Sequence, residues 1–331
     1  MRPPPTIVSI GNFDGVHAGH AAILSRAKQL AGDLGAVGGT TVLAFDPHPL
    51  TRLNPDRTPA RLTTFQQRTS LLTHAGAATI ERLEPTEDLL ALTPEAFLER
   101  VIAKHNPRAF VEGADFRFGK DRAGTIDTLK TLCQPRGIEV HTVPPVAVGL
   151  SDNSAVTASS TIARWLLQHG RARDAWAVLT RPHRITGTVV QGDRRGRTLG
   201  YPTANINTPN LIPADGVYAT LATLPDGSTA PGALSVGTKP QFGEHARTAE
   251  VYLIGRAPRP DTPNLPGLPE YGWPITLDLV GWVREQMQFP SLQGLLDQIE
   301  RDCTRVEHIL KAVTTPPTPN TNPTHPHEAT A

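Results

Sequence analysis

The sequence predicts an α/β fold: a doubly wound parallel sheet, then a small antiparallel β-barrel with a C-terminal helix. Three observations predict it. Over residues 6 to 150, short apolar runs alternate with helical patterns, as in a parallel sheet covered on both faces. Beyond about residue 180 the pattern changes to short β-like runs separated by turns, as in a small barrel. Ser291–Leu310 then places Leu292, Leu295, Leu296, Ile299 and Cys303 at helical spacing, a packing face. A chain of 331 residues is long enough for two separate cores.

In chain order, Ile7–Ile10 reads as the first strand and Thr41–Phe45 as the second, with later strands at Ala109–Val111 and Glu139–Val143. Helices are predicted at Gln66–His74, Pro94–Lys104 and Thr125–Cys133, with Pro94 in a first turn capped by Thr93. Trp165–Val178 reads as a helical connector, amphipathic through Trp165, Leu166, Trp176 and Leu179, and Thr180-Arg181-Pro182-His183 breaks it. The barrel runs are Ile185–Val190, Ala204–Ile206, Gly216–Leu221, Ala233–Val236, Ala249–Ile254 and Ile275–Trp282. From Val313 the tail is Pro, Thr, Asn and His and cannot bury enough apolar area to fold. The expected divisions are therefore 1–179, 180–312 and a disordered 313–331.

Formal charge is +1, which implies neither nucleic-acid nor membrane electrostatics. Cys133 and Cys303 are far apart and match no CxxC pattern, so a reducing compartment is expected. Met1-Arg2-Pro3-Pro4-Pro5 lacks the apolar core of a signal peptide, and no apolar run is long enough to span a bilayer. The expected location is the cytoplasm. Oligomeric state stays open.

The chemistry concentrates in Gly11-Asn12-Phe13-Asp14-Gly15-Val16-His17-Ala18-Gly19-His20, between the first strand and a helix-like run. Strand, glycine-rich turn and helix together aim backbone N–H groups at a phosphate. Gly11, Gly15 and Gly19 permit a sharp turn and a close approach. His17 and His20, at the mouth of the helix, can donate to charge developing on a transferring phosphate; capping the helix is their plainer role. No Cys or carboxylate lies beside them at zinc-ligand spacing. His325 and His327 in the tail read as incidental composition.

The decapeptide carries the His-x-Gly-His pattern of nucleotidylyltransferases. In its long form it resembles the adenylyltransferase half of bacterial bifunctional riboflavin kinase/FAD synthetases. Further motifs follow in family order. Phe45-Asp46-Pro47-His48-Pro49 resembles Phe-x-Pro-His-Pro, and Gly113-Ala114-Asp115-Phe116-Arg117-Phe118-Gly119 resembles Gly-x-Asp-Phe-x-Phe-Gly. Ser159-Ser160-Thr161-Ile162-Ala163-Arg164 resembles Ser-Ser-Thr-x-Ile-Arg, departing at Ala163. The run from Gly187 through Gly192, Gly196, Arg197 and Gly200 to Pro202-Thr203-Ala204-Asn205 resembles the riboflavin kinase core, with Arg195 adding charge.

The resemblance implies Mg²⁺ and ATP, with riboflavin and FMN as flavin substrates. It implies that His17 and His20 stabilise the α-phosphate transition state and that Gly11, Asn12, Phe13, Gly15, Gly19, Ser159, Ser160, Thr161 and Arg164 surround phosphates. Asp115, Phe116 and Phe118 would hold flavin, though an aromatic pair alone is more often core. In the barrel Gly187, Gly192, Gly196 and Arg197 would approach ATP, Thr203 and Asn205 would hold Mg²⁺, Glu250 would be the base, and Arg284 and Phe289 would border flavin. Lys239, Gln241 and the long, proline-rich 256–273 depart from the family pattern. They leave open a specialised relative that keeps one activity or accepts another flavin or nucleotide. A flavin-binding sensor without catalysis is the other alternative.

Overall fold

The computed structural model describes residues 3–192, 196, 199–238, 247–256, 265 and 267–312. Arg195, Arg197, Lys239, Gln241, most of 257–266, His325 and His327 lie outside the described residues.

The first half is one parallel sheet, β1 (Thr6–Gly11), β2 (Thr40–Phe45), β3 (Thr79–Leu83), β4 (Pro107–Gly113) and β5 (Glu139–Val143), ordered β3-β2-β1-β4-β5. Its helices are α1 (Ala18–Asp33), α2 (Leu50–Leu53), α3 (Phe65–His74), α4 (Glu87–Leu90), α5 (Pro94–His105) and α6 (Ile126–Cys133). β1 is buried on both faces: Ile7 packs with Ala27, Leu30 and Val111, whereas Val8 packs with Phe97, Phe110 and Leu129. That two-sided burial is why its sequence is mostly apolar on both faces, with Ser9 the polar exception inside it. Caps set the helix starts: Thr93 and Thr125 accept backbone N–H groups, and Thr64 and Gln67 form a reciprocal capping box.

A hairpin of β6 (Ala147–Gly149) and β7 (Ala155–Thr157) leads to α7 (Ser160–Gln168) and α8 (Ala172–Leu179). The connector is thus two helices, not one through Trp165–Val178. Gly170 breaks it at φ 73°, where an added Cβ would meet the Trp282 ring at 2.8 Å. Trp165, expected on the apolar face, is 45% exposed.

The second half is a closed six-stranded barrel of β8 (His183–Val190), β9 (Thr203–Asn207), β10 (Gly216–Thr223), β11 (Thr229–Gly237), β12 (Thr248–Leu253) and β13 (Pro274–Arg284), in spatial order β10-β11-β12-β9-β8-β13. The C-terminal helix α9 (Leu292–Ala312) follows, tied to the barrel by Arg284 against the buried Asp302 at 2.8 Å. Leu166, Leu167, Val178 and Leu179 of α7 and α8 share one apolar cluster with Tyr218, Leu234 and Leu277 of the barrel and Leu62 of the first half. Polar contacts cross the same junction: Leu211 N donates to Arg61 O at 2.6 Å, and Asn210 Nδ2 donates to Leu62 O at 3.0 Å and Gln67 Oε1 at 2.8 Å.

Candidate active sites

The strand order reverses between β1 and β4, and a crevice opens at such a switch point. Direct pairing of β1 with β4 ends at Val8 and Phe110. Beyond it the Glu112 carboxylate accepts from Ile10 N at 2.8 Å and bridges the two strands. Burial pushes the Glu112 carboxyl well above its usual range, against the opposing bonds from Ile10 and Ser9.

Gly11 to His20 follows β1 and enters α1. Phe13 and Val16 have φ of 49° and 40°, and Gly15 has φ of 81°. Such positive φ costs a side-chain-bearing residue strain, so the surrounding structure must hold it. It does so from several sides. Asp14 is buried and accepts from Leu62 N at 3.0 Å, Thr63 N at 2.8 Å and Thr63 Oγ1 at 2.8 Å, and pairs with Arg164. Burial alone would raise the Asp14 pKa; Arg164, the Leu62 bond and Arg68 outweigh it and hold the carboxyl low. Arg68 donates to Asn12 O at 2.8 Å and Phe45 O at 2.7 Å, Ser160 Oγ to Asp14 O at 2.7 Å, and Arg181 to Gly15 O at 2.5 Å and Val16 O at 3.1 Å. A Cβ at Gly15 would stand 2.8 Å from Leu62 Cδ1.

His17 caps α1, with Nδ1 accepting from Gly19 N at 3.2 Å, and stacks on His20 at 3.7 Å between ring centroids. A neutral imidazole has one N–H, so this bond leaves the proton of His17 on Nε2. Burial lowers the His17 pKa to about 4; Asp115 opposes the shift and Arg181 and Arg164 add to it. His20 is lowered well below its ordinary value by burial, then by His17 and Arg68. Two buried polar atoms of this loop have no hydrogen-bond partner: Asn12 Oδ1 and His20 Nδ1. Asn12 lines a cavity of about 110 Å³ that is also reached by Asp14, His48, Arg61, Arg68 and Arg164. The buried Asp46 faces Arg82 at 2.8 Å, Arg68 at 3.4 Å and Arg61 at 3.5 Å, so guanidinium groups outnumber carboxylates here.

The other first-half candidates take varied positions. Ser159 caps α7 by accepting from Ile162 N at 3.2 Å, and Thr161 is exposed on that helix's first turn. Arg164, besides Asp14, donates to Ala60 O at 2.6 Å. Asp115 is exposed in the loop after β4, close enough for its charge to act on His17. Phe116 stacks on Phe118 at 5.5 Å, and Phe118 is buried in the core against Phe97.

In the barrel, Glu250 pairs in register with Asn205 and Tyr252 with Thr203. Alternation along β9 and β12 therefore puts Thr203, Asn205 and Glu250 on one face. Thr203 Oγ1 donates to Glu250 Oε2 at 3.1 Å, and Thr248 Oγ1 lies 3.4 Å from Glu250 Oε1. Gly192 passes so close to this cluster that an added Cβ would overlap the Asn205 amide. Gly187 lies on β8, and Gly196 O accepts from Tyr201 N at 2.8 Å. Arg284 is taken up by Asp302 and lies over the Phe289 ring at 5.5 Å. A cavity of about 680 Å³ separates the halves, bounded by Gly15, Gln67, Arg181 and Asp278.

A parallel sheet with a strained, glycine-rich loop at its switch point, joined to a closed barrel with a hydroxyl–amide–carboxylate cluster, defines a two-domain architecture of the nucleotide-transfer class. Comparison with known proteins makes this specific. Residues 1–159 match the FAD synthetase family and residues 179–310 the riboflavin kinase family. The bifunctional riboflavin kinase/FMN adenylyltransferase of Bacillus subtilis (strain 168) is 30% identical over 306 residues, spanning 90% of each chain. That of Escherichia coli (strain K12) is 31% identical over 298 residues, 89% of this chain and 90% of the other. Among solved structures, one described as a macrolide-efflux protein from Streptococcus pneumoniae has a TM-score of 0.78 at 27% identity, over 92% of this chain and 94% of that one. The chain belongs to the bifunctional riboflavin kinase/FMN adenylyltransferase family. No helix among the described residues is long and apolar enough to cross a membrane.

The network that braces the loop was not predicted. Arg68 carries no motif signal; Asp46 lies in the Phe-x-Pro-His-Pro run and Arg181 in Thr180-Arg181-Pro182-His183, where the family has Gly-Arg-Pro-Tyr, but neither run shows the partners, which lie far away in sequence.

Proposed function

We infer that the two halves work in series. The barrel transfers the γ-phosphoryl group of ATP to riboflavin, giving FMN. The α/β domain transfers AMP from a second ATP to FMN, giving FAD and pyrophosphate. The observation that best supports the second step is the strained loop with its stacked histidines at the start of α1. Neutral His17 donates from Nε2–H, and the N-terminal N–H groups of α1 add partial positive charge. Fixed donors aimed where charge develops need no reorganisation during reaction. Asn12 and Arg164 hold phosphate oxygens, and Asp115 and Phe116 border the flavin.

For the kinase step, Glu250 takes the proton from the riboflavin hydroxyl as it attacks phosphorus, and Thr203 orients that carboxylate. The Thr203 hydroxyl and the Asn205 amide are neutral hard-oxygen donors beside a carboxylate, and no cluster of three His, Cys, Asp or Glu occurs among the described residues. That donor set fits Mg²⁺, which takes few protein ligands and shares substrate phosphates. When bound, Mg²⁺ neutralises charge on the ATP phosphates. We place both reactions in the cytoplasm, in keeping with two free thiols, and divide the chain at about residue 180. Incubation with riboflavin, ATP and Mg²⁺, followed by chromatography of the flavins, should show FMN rising first and FAD following with pyrophosphate. Tight flavin binding without either product would overturn this reading.

A further inference from the structure

We propose that His48 is a positioning residue for adenylyl transfer: it fixes which end of the Asn12 side-chain amide faces the ATP phosphates. The proposal rests on the adenylyltransferase reading of the α/β domain and adds an orienting residue to it.

Asn12 follows β1, and His48 sits in the loop between β2 and α2. His48 Nδ1 accepts from Leu50 N at 3.1 Å. A neutral imidazole that accepts at one nitrogen carries its proton on the other, so Nε2 is the donor. Burial, then the Arg164 guanidinium, lowers the His48 pKa and keeps the ring neutral. Facing Nε2 at 3.2 Å is Asn12 Nδ2, also a donor. Two donors cannot satisfy each other. At the opposite end of the same amide, Oδ1 is buried with no partner. Amide oxygen and nitrogen have nearly the same shape, and the surrounding hydrogen bonds decide their placement. Half a turn of the amide replaces the donor–donor contact with a hydrogen bond and leaves the NH₂ group, rather than the oxygen, to be met by a ligand. Oδ1 then accepts from His48 Nε2–H, and the NH₂ group points where the partnerless oxygen stood.

The consequence is chemical. Phosphate oxygens accept hydrogen bonds and carry negative charge. An amide oxygen turned toward them repels, whereas an NH₂ group donates. The adjoining cavity, with Arg61, Arg68 and Arg164 on its walls, is already suited to an anion. His48 thus makes Asn12 a donor before substrate arrives, which spares the reorganisation that binding otherwise requires.

Two measurements on the full chain test this. Nitrogen-15 NMR of histidine-labelled protein should show His48 as the Nε2–H tautomer; the Nδ1–H tautomer would overturn the proposal. In kinetics with FMN supplied, His48→Leu should raise KM for ATP roughly tenfold, as expected for one lost hydrogen bond, while His48→Gln, whose amide can still donate, should hold it within about threefold. Equal losses in both variants would reduce His48 to a packing role. In an Asn12→Ala background, His48→Leu should change KM less than about twofold, because the residue acts through Asn12. A further tenfold loss there would show His48 acting alone and would also overturn the proposal. FMN formation by the barrel reports whether each variant folds. If the unaltered chain makes no FAD, the adenylyltransferase reading fails instead, and the tautomer still decides the amide orientation.

Discussion

The two proposed phosphate sites are held in opposite ways. In the α/β domain the functional groups ride on a loop with two side-chain-bearing residues at positive φ, and that loop keeps its shape through Asp14, Arg68, Ser160 and Arg181. In the barrel, Thr203, Asn205 and Glu250 stand on paired strands, and the ladder itself sets their spacing. A loop needs outside support to stay strained, whereas a strand pair carries its own. The loop's support includes Arg181, at the entry to the barrel. The proposed adenylyltransferase site therefore leans on the second half of the chain, whereas the strand pairing that spaces the kinase cluster lies within the barrel.

The sharpest break of this comparison comes from the groups assigned to chemistry. Glu250→Gln should lower FMN formation by about 10²- to 10⁴-fold, the usual contribution of a general base, while FAD formation from supplied FMN stays within about twofold. His17→Ala should do the reverse, cutting FAD formation about 100-fold for one lost donor and sparing FMN formation. Steady-state rates with each flavin measured separately decide both. Equal loss of the two activities in either variant would mean a shared site.

Support for the loop should cost less than the donors themselves. Arg181→Ala removes two charge-assisted bonds to Gly15 O and Val16 O but leaves Asp14 and Arg68 in place. FAD formation should fall about tenfold, the scale of one charged hydrogen bond, with FMN formation nearly unchanged. A kinase loss as large as the adenylyltransferase loss would erase the asymmetry between the sites.

The parts legible in the sequence were those whose signal is local. β1 and β2 are buried on both faces and mostly apolar, and the six barrel strands were each visible as short runs between turns. β3 was not visible, because Thr79–Leu83 is a sheet-edge strand carrying Glu81 and Arg82, with no fully buried residue. The break at Gly170 was hidden because the reason for it, the Trp282 ring, lies 112 positions away. The site divides likewise. His17, His20, Thr203 and Asn205 announce themselves by motif. The bracing contacts do not: Asp14 and Ser160 lie in motif runs, but no run shows that Arg181 reaches Gly15 across 166 positions or that Arg68 reaches Asn12 across 56. Arg284 shows the converse, since its motif position suggests flavin while its guanidinium is occupied by Asp302 on α9.

The smallest effect expected near neutral pH concerns protons in the braced site. His17 is lowered to about 4, first by burial, and His20 well below 6.5, so neither should show a titration step between about pH 6 and 8 by NMR. A step near the ordinary value would mean that the histidines are more solvated than their packing indicates. The same displacement has a cost in acid. An unfolded chain protonates His17 near 6.5, whereas the folded chain does so only near 4. Between those values the unfolded state binds more protons, so stability falls as pH drops from 6.5 toward 4, by up to ~3 kcal/mol from this residue. Urea denaturation of the full chain at several pH values across that window should show the loss. His17→Asn, which has no proton to gain, should reduce it, with His20 and His48 supplying part of what remains. An unchanged slope would show that His17 is not a source of the acid lability and would place its ring in a wetter site than the stacked, capped arrangement describes.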